Sequence, residues 1–191
     1  GSTLNEITLT DANSNGYNGI SLNNSFLNNI TSNNAINNTF NGIQLTNSSD
    51  NLVYNNTAVQ NKQNGIALDL GSNSNNVTGN NATFNGWNGI AVNASDRNNL
   101  TSNNASYNAL SGINLTNSNW NTLYNNTANS NNQNGIVLTN SSNNTLYLNT
   151  ARYNQQDGIL VNLSSDGNNL TENKVCGNLW NGIEVNGSYW N

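Results

Sequence analysis

Asn18-Gly19-Ile20-Ser21-Leu22 is the first copy of a short pattern that returns along the whole chain. Its opening tripeptide recurs, unchanged or with the first residue replaced, at Asn41-Gly42-Ile43, Asn64-Gly65-Ile66, Asn88-Gly89-Ile90, Ser111-Gly112-Ile113, Asn134-Gly135-Ile136, Asp157-Gly158-Ile159 and Asn181-Gly182-Ile183. Successive glycines of the pattern lie 23 or 24 residues apart. A period of this length is typical of a solenoid, in which one repeat cannot bury its apolar face alone.

Two apolar columns run through the repeat. Each glycine is followed by Ile-x-Leu or Ile-x-Val, an alternation that places both apolar side chains on one face of a short strand. Twelve residues before each glycine stands the second column, made up of Ile7, Ile30, Val53, Val77, Leu100, Leu123, Leu146 and Leu170. A small residue follows this column after five positions, from Ala12 to Ala151, with Val175 in the last repeat. The pattern predicts stacked parallel strands around a narrow core and no helix.

Asparagine accounts for 55 of the 191 residues, and it keeps register with the repeat. Three columns hold it, one from Asn5 to Asn191, one from Asn33 to Asn173 and one from Asn15 to Asn178. Disordered asparagine-rich tracts do not keep register, and asparagine amides stacked at strand spacing can hydrogen-bond from coil to coil. The columns therefore predict buried ladders.

A serine column runs beside the asparagines, and the spacing predicts one interruption in it. It consists of Ser2, Ser25, Ser48, Ser95, Ser118, Ser141, Ser164 and Ser188, with Gly71 at the break. The extra residue of the 24-residue repeats falls near the segments 71–73 and 165–167, outside the predicted strands. Because surface turns tolerate insertions and buried strands do not, we expect turns at both places.

The repeat resembles the right-handed parallel β-helix repeat family, and within it the NosD-like carbohydrate-binding and sugar-hydrolase repeats. The pattern of that family is matched along a full coil by Leu100, Asn103, Asn108, Gly112-Ile113, Leu115, Ser118, Asn121 and Leu123. The resemblance implies an all-β fold, a single-stranded right-handed parallel β-helix of about eight coils of 23–24 residues. Parallel crossover connections are right-handed as a rule, which agrees with this handedness. We expect one domain over residues 1–191, which could be a segment of a longer array.

Composition restricts the classes of function. Four basic and nine acidic residues give a net charge of −5, without a basic patch that would suit nucleic acid. The chain contains no 18-residue apolar run that would span a membrane, and Cys176 is its only cysteine. Low charge with abundant Asn, Ser and Thr favours an extracellular or cell-surface location.

Candidate catalytic and metal-binding groups are sparse. Histidine is absent, and the acidic residues mostly occupy different columns. The nearest approach to a cluster is Asp157 with Glu184 on the next coil, beside Arg152, and Asp157 stands in an asparagine column. Asp50 and Asp166 are weak calcium candidates, since calcium needs several converging oxygens. We therefore expect no enzyme, no cofactor and no metal, with a polysaccharide lyase, hydrolase or epimerase as the less favoured alternative.

Aromatic residues are the most suggestive candidates for binding. One column lies two positions before the glycines, and others lie nearby; the candidate contacts with carbohydrate or a partner are Tyr17, Phe40, Trp87, Trp180, Phe84, Tyr107 and Tyr153. Exposed rings beside amides suit sugar binding, since rings stack on sugars and amides bond hydroxyls. The other interpretation is that the rings pack over the turns.

The chain also carries 17 Asn-x-Ser/Thr sequons, several of them produced by the repeat itself. Those that directly precede the apolar column are candidate glycosylation sites, namely Asn29, Asn76, Asn99 and Asn169. Their use depends on exposure and on the host.

Regularity, few titratable groups and ends that stay in phase with the repeat lead to the first functional hypothesis. It is a non-enzymatic extracellular structural or adhesin-type surface or filament protein, assembling end to end. Its partners would be further copies of itself, a glycan or other surface proteins. The alternative is a carbohydrate-binding module of a polysaccharide-active protein. A threonine column that could bind ice is interrupted by Tyr54, Tyr124 and Tyr147, which argues against that role.

Overall fold

The computed structural model describes all 191 residues as a parallel β-solenoid of eight coils without helices. Each coil contributes a three-residue strand and a four-residue strand. The three-residue strands are β1 (Glu6–Thr8), β3 (Asn29–Thr31), β5 (Leu52–Tyr54), β7 (Asn76–Thr78), β9 (Asn99–Thr101), β11 (Thr122–Tyr124), β13 (Thr145–Tyr147) and β15 (Asn169–Thr171). The four-residue strands are β2 (Ile20–Asn23), β4 (Ile43–Thr46), β6 (Ile66–Asp69), β8 (Ile90–Asn93), β10 (Ile113–Thr116), β12 (Ile136–Thr139), β14 (Ile159–Asn162) and β16 (Ile183–Asn186).

The strands form two eight-stranded parallel sheets that follow the repeat. Sheet 1 contains the odd-numbered strands in order, and sheet 2 contains the even-numbered strands. Equivalent residues pair in every coil, as Ile30 does with Val53 and Ile43 with Ile66. A third side is held by single-residue parallel bridges, such as Asn81 with Asn104. The predicted all-β parallel β-helix is confirmed.

The core is a narrow column of 26 buried apolar residues, mostly Ile, Leu, Val and Ala from the predicted columns. Only small residues fit in the glycine and alanine columns, because the backbones of neighbouring coils approach each other closely there. A Cβ added at Gly89 would lie 2.8 Å from the Cβ of Ala105 and 2.7 Å from the Nδ2 of Asn108. Larger side chains at either column would therefore collide with the next coil.

Each coil turns at four corners, and a residue in the left-handed region of φ occupies each one. In the second coil these are Leu27 (φ 58°), Ser32 (φ 57°), Asn37 (φ 58°) and Asn47 (φ 45°). Each of these four corner residues is followed by a buried ladder residue, namely Asn28, Asn33, Asn38 and Ser48. The ladder asparagines themselves are not left-handed.

The predicted asparagine ladders are confirmed, and their buried amides are hydrogen-bonded except for the Nδ2 of Asn98, which has no partner. The Oδ1 of Asn56 accepts from the backbone N–H of Asn33 at 2.9 Å and from its Nδ2 at 3.0 Å. The Nδ2 of Asn33 also donates to the carbonyl of Ile7 at 2.8 Å. A buried polar group that is hydrogen-bonded in this way avoids the cost of desolvation.

The serine ladder is continuous, which corrects the sequence analysis. Ser72 and Ser165 occupy the positions assigned to Gly71 and Ser164, since the Oγ of Ser72 accepts from the N–H of Ser48 at 3.1 Å and that of Ser165 from Ser141 at 3.0 Å. The extra residue of each longer coil lies just before these serines. There the corner holds two consecutive left-handed residues instead of one, 70–71 and 163–164.

Candidate functional site

The outward face of sheet 2 is not a flat, exposed surface. The residue between the two apolar positions of each strand points outward, as predicted, and Ser21 at this position is exposed. Gln44 and Ala67 in the next two coils are nevertheless only 8% and 1% exposed. Residues flanking the strands therefore stand above them, and the face is recessed over these coils.

A depression of about 450 Å³ lies over this face in the first three coils. It is lined by Tyr17, Asn18, Ser21, Asn23, Phe40, Asn41, Gln44, Thr46, Gln63 and Asp69. The rings of Tyr17 and Phe40 stand at one edge with their centroids 4.3 Å apart and their planes tilted by 35°. The remaining lining side chains are amides, hydroxyls and one carboxylate. Two of the predicted contact residues thus meet beside groups that bond hydroxyls.

Asp69 ends strand β6 and is held by its neighbours. The Nε2 of Gln44 donates to its Oδ2 at 2.7 Å, and the Oε1 of Gln44 accepts from the Nδ2 of Asn41. Burial raises the pKa of the Asp69 carboxyl above its ordinary value, while hydrogen bonds from Gln44 and Asn93 act in the opposite direction. A chain of polar contacts therefore runs from Asn41 through Gln44 to a carboxylate in the depression.

Asp69 was not among the candidate residues, although a signal existed. Its column is Asn23, Thr46, Asp69, Asn93, Thr116, Thr139, Asn162 and Asn186, in which it is the only acidic residue. A lone charged residue at an outward strand position would have identified it.

The other aromatic candidates do not join Tyr17 and Phe40. Trp87 and Trp180 share their column and are exposed, but Trp87 is separated from Phe40 by Gln63. Phe84 and Tyr107 stack at another corner, with centroids 5.1 Å apart and planes 5° from parallel. The structure therefore contains local pairs of rings and no continuous platform.

Tyr153, at the same corner as that pair, fits the alternative interpretation that rings pack over turns. A Cβ added at Gly177 in the next coil would lie 2.6 Å from its ring.

On sheet 1, Tyr124 stacks on Tyr147 with centroids 5.6 Å apart. The charge of Glu172 raises the pKa of Tyr147.

The carboxylates Asp157 and Glu184 come together around one amide. The Nδ2 of Asn181 donates to the Oδ1 of Asp157 and to the Oε2 of Glu184, both at 2.9 Å. Asp157 is buried and accepts from the backbone N–H of Asn181 at 3.0 Å, as an asparagine of the ladder would. The backbone N–H of Arg152 donates to the Oδ1 of Asn129. Asp157 is therefore a substitution within a ladder, as expected.

The calcium candidates stand apart. No three Asp, Glu, Cys or His side chains converge in a way that could hold a metal ion. Asp50 lies at an exposed corner, and the Oδ1 of Asp166 accepts from the backbone N–H of Tyr189 at 2.7 Å. Both aspartates therefore belong to the turns.

All four candidate glycosylation residues are exposed on sheet 1 at the first position of a strand. In three of them the threonine hydroxyl of the sequon donates to the asparagine Oδ1, as in the bond of 2.8 Å from Thr101 to Asn99. Glycosylation at these residues stays a prediction.

The chain belongs to the right-handed β-helix family. The family model described as "Right handed beta helix region" matches residues 1–109 and 71–191, which together span the whole chain. No curated protein matches the chain. No helix of the structure has the length and apolarity to cross a membrane.

Solved structures with this fold include polysaccharide-modifying enzymes. The periplasmic alginate epimerase AlgG is 18% identical with a TM-score of 0.68, over 88% of this chain and 50% of its own length. A double mutant of AlgG gives a TM-score of 0.75 at 18% identity, over 96% of this chain and 50% of that one. The A-module of the mannuronan C-5 epimerase AlgE4 from Azotobacter vinelandii is 17% identical with a TM-score of 0.67, over 98% and 57%. The chain thus spans about half the length of these proteins.

These neighbours correct the first functional hypothesis. The prediction of a non-enzymatic structural, adhesin-type or filament protein is wrong, because the similar structures are alginate epimerases and not adhesins. The alternative, a polysaccharide-active protein, agrees better with them. At 17–18% identity the likeness establishes the fold, and it does not carry catalysis over to this chain.

Proposed function

We propose that this chain is the carbohydrate-binding part of a polysaccharide-active protein, with the glycan lying on the outward face of sheet 2. The observation that supports the proposal is the depression over the first three coils. It sets the Tyr17 and Phe40 rings beside side-chain amides, hydroxyls and the Asp69 carboxylate.

The chemistry of these groups suits sugars. An aromatic ring offers a flat apolar face to the C–H groups of a pyranose, and the amides and hydroxyls pair with its hydroxyls. Equivalent groups on successive parallel strands lie about 4.8 Å apart, a spacing comparable to the length of one pyranose unit. A glycan that runs along the solenoid axis would therefore advance by about one sugar per coil across the three coils that line the depression.

Export of the protein is part of the same proposal. AlgG is a periplasmic protein, and a polysaccharide ligand is found outside the cytoplasm. Whether the protein stays at the cell surface or is released is a finer question, which fractionation of the source cells would answer.

The first prediction concerns the aromatic pair. Replacing Tyr17 and Phe40 by Ala removes both ring faces, and we expect the affinity for a bound hexasaccharide to fall roughly tenfold or more. Isothermal titration with hexasaccharides of several polysaccharides gives the dissociation constants, and circular dichroism verifies the fold.

The matched control is the double variant Phe84→Ala, Tyr107→Ala, which removes another pair of neighbouring rings from a different corner. Its affinity should stay unchanged. Equal weakening in both variants would show that sheet 2 is not the binding face. Proton NMR of the glycan after incubation with the protein adds a second readout. New anomeric signals would show that the protein modifies the glycan, and its role would then be catalytic.

A further inference from the structure

We infer that the glycan bound on sheet 2 is a neutral, hydroxyl-rich polysaccharide and not a polyuronate. This inference rests on the proposed function and specifies its ligand. It differs from what the names of the structural neighbours would suggest, since alginate and mannuronan carry a carboxylate on every sugar.

The charges on this face are negative. Asp69 lines the depression, where Gln44 holds its carboxylate at 2.7 Å. In the last coil, Glu184 occupies the outward position of strand β16 and is half-buried. A carboxylate on each sugar of a bound polymer would be brought close to these groups, and like charges in a partly desolvated site repel strongly.

The four basic residues of the chain lie at other positions of the coil. Arg97 is at a corner with φ 57°, and Lys174 is on the side made by the single-residue bridges. Arg152 stands next to the corner at Tyr153, with its backbone bonded to Asn129. Lys62 directly precedes Gln63 in sequence but does not line the depression. The polyanion would therefore meet carboxylates without a lining cation to pair with.

Neutral sugars suit the same groups. Amides and carboxylates accept hydrogen bonds from sugar hydroxyls, and amide N–H groups donate to them. Each carboxylate or amide oxygen has two acceptor sites, and Gln44 uses one of those on the Oδ2 of Asp69. A hydroxymethyl group in place of a uronate carboxylate would turn a repulsive contact into a hydrogen bond.

The test compares oligosaccharides that differ only in this group. Mannohexaose and hexamannuronate share the β-1,4 linkage, and cellohexaose and its uronate counterpart form a second matched pair. We expect the neutral member of a pair to bind about tenfold or more tightly at low salt, with a smaller ratio at high salt because salt screens the repulsion.

Two variants identify the source of the discrimination. Asp69→Asn keeps the shape and removes the charge, so the ratio between neutral and uronate ligands should shrink several-fold. Lys62→Gln is the control, and the ratio should stay the same, because its side chain does not line the site.

Each outcome has a distinct meaning. Tighter binding of a uronate, lost in the double variant of Tyr17 and Phe40, would overturn this inference and leave the proposed function in place. Binding of no member of either pair would overturn the proposed function itself. A ratio unchanged by Asp69→Asn would overturn the assignment of the selectivity to this carboxylate.

Discussion

Asp69 carries the only charge in the depression on sheet 2, and its surroundings have two opposing effects on the pKa of its carboxyl. Burial disfavours the ionised form and raises the pKa, whereas hydrogen bonds from Gln44 and Asn93 favour ionisation. The net upward direction means that the folded protein holds a proton more tightly than the unfolded chain does. The site therefore keeps a carboxylate at some cost to stability, as functional sites often do.

A pH-dependent stability difference follows for Asp69→Asn. Between the ordinary aspartate pKa of about 3.9 and the raised folded value, the folded state binds more protons, so stability falls as pH rises through this window. At neutral pH the variant lacks this penalty, and we expect it to be at least as stable as the parent. Below the ordinary pKa the difference between parent and variant should vanish.

Thermal unfolding at acidic and neutral pH, followed by circular dichroism, measures the effect. Asp50→Asn is the matched control, because Asp50 is exposed at a corner. A variant that is less stable than the parent at neutral pH would mean that the hydrogen bonds to Asp69 outweigh its burial.

At the scale of elements, the corner and the ladder work together. A non-glycine residue in the left-handed region costs roughly 1 kcal/mol, and here four such residues occur in one coil. The ladder residue that follows each corner bonds backbone groups of the neighbouring coils and so compensates for this cost.

The ladders could be predicted from the register of the asparagines, but the left-handed corners could not. Residues such as Leu27, Trp120 and Phe84 have no local preference for positive φ, and stacking between coils imposes it. The depression was missed for a similar reason. Its aromatic edge was predicted by the column of Tyr17 and Phe40, but the burial of Gln44 depends on side chains from neighbouring coils.

Removing one ladder amide should destabilise the fold. The Oδ1 of Asn103 accepts from the N–H of Asn80 at 2.9 Å, and its Nδ2 donates to the carbonyl of Val77 at 2.8 Å. Asn103→Ala leaves these buried groups unpaired, at about 1–3 kcal/mol for each. Chemical denaturation should show a lower midpoint.

The neighbouring exposed Asn104 provides the control for this prediction. Asn104→Ala should change the free energy of unfolding by no more than about 0.5 kcal/mol. Equal effects of the two substitutions would show that the ladder amide contributes nothing beyond an exposed asparagine.

At the scale of the whole molecule, the repeat tolerates a change of length only at one corner. Coils of 23 and 24 residues stack with their strands in register, as Ile66 with Ile90 and Val53 with Val77. Their difference is absorbed before the serine ladder, where Leu70 and Gly71 replace a single corner residue such as Ala94. The solenoid is therefore one continuous stack in which each strand position is fixed by its neighbours and the corner is not.

Deletion of Gly71 should consequently leave the fold intact. The shortened coil would turn at Leu70 alone, as a 23-residue coil does, and Ser72 could still accept from Ser48. The loss is limited to the hydrogen bonds of Gly71 itself, and changes in surface loop length cost about 1 kcal/mol or less.

Deletion of Ala67 within strand β6 is the contrasting variant. It shifts the register by one residue and turns Ile66 or Leu68 out of the core. We expect a cooperative unfolding transition near that of the parent for the first deletion, and a strongly lowered or absent transition for the second. If both deletions unfold the protein equally, the corner is as constrained as the strands, and the stack does not absorb length where the two longer coils place it.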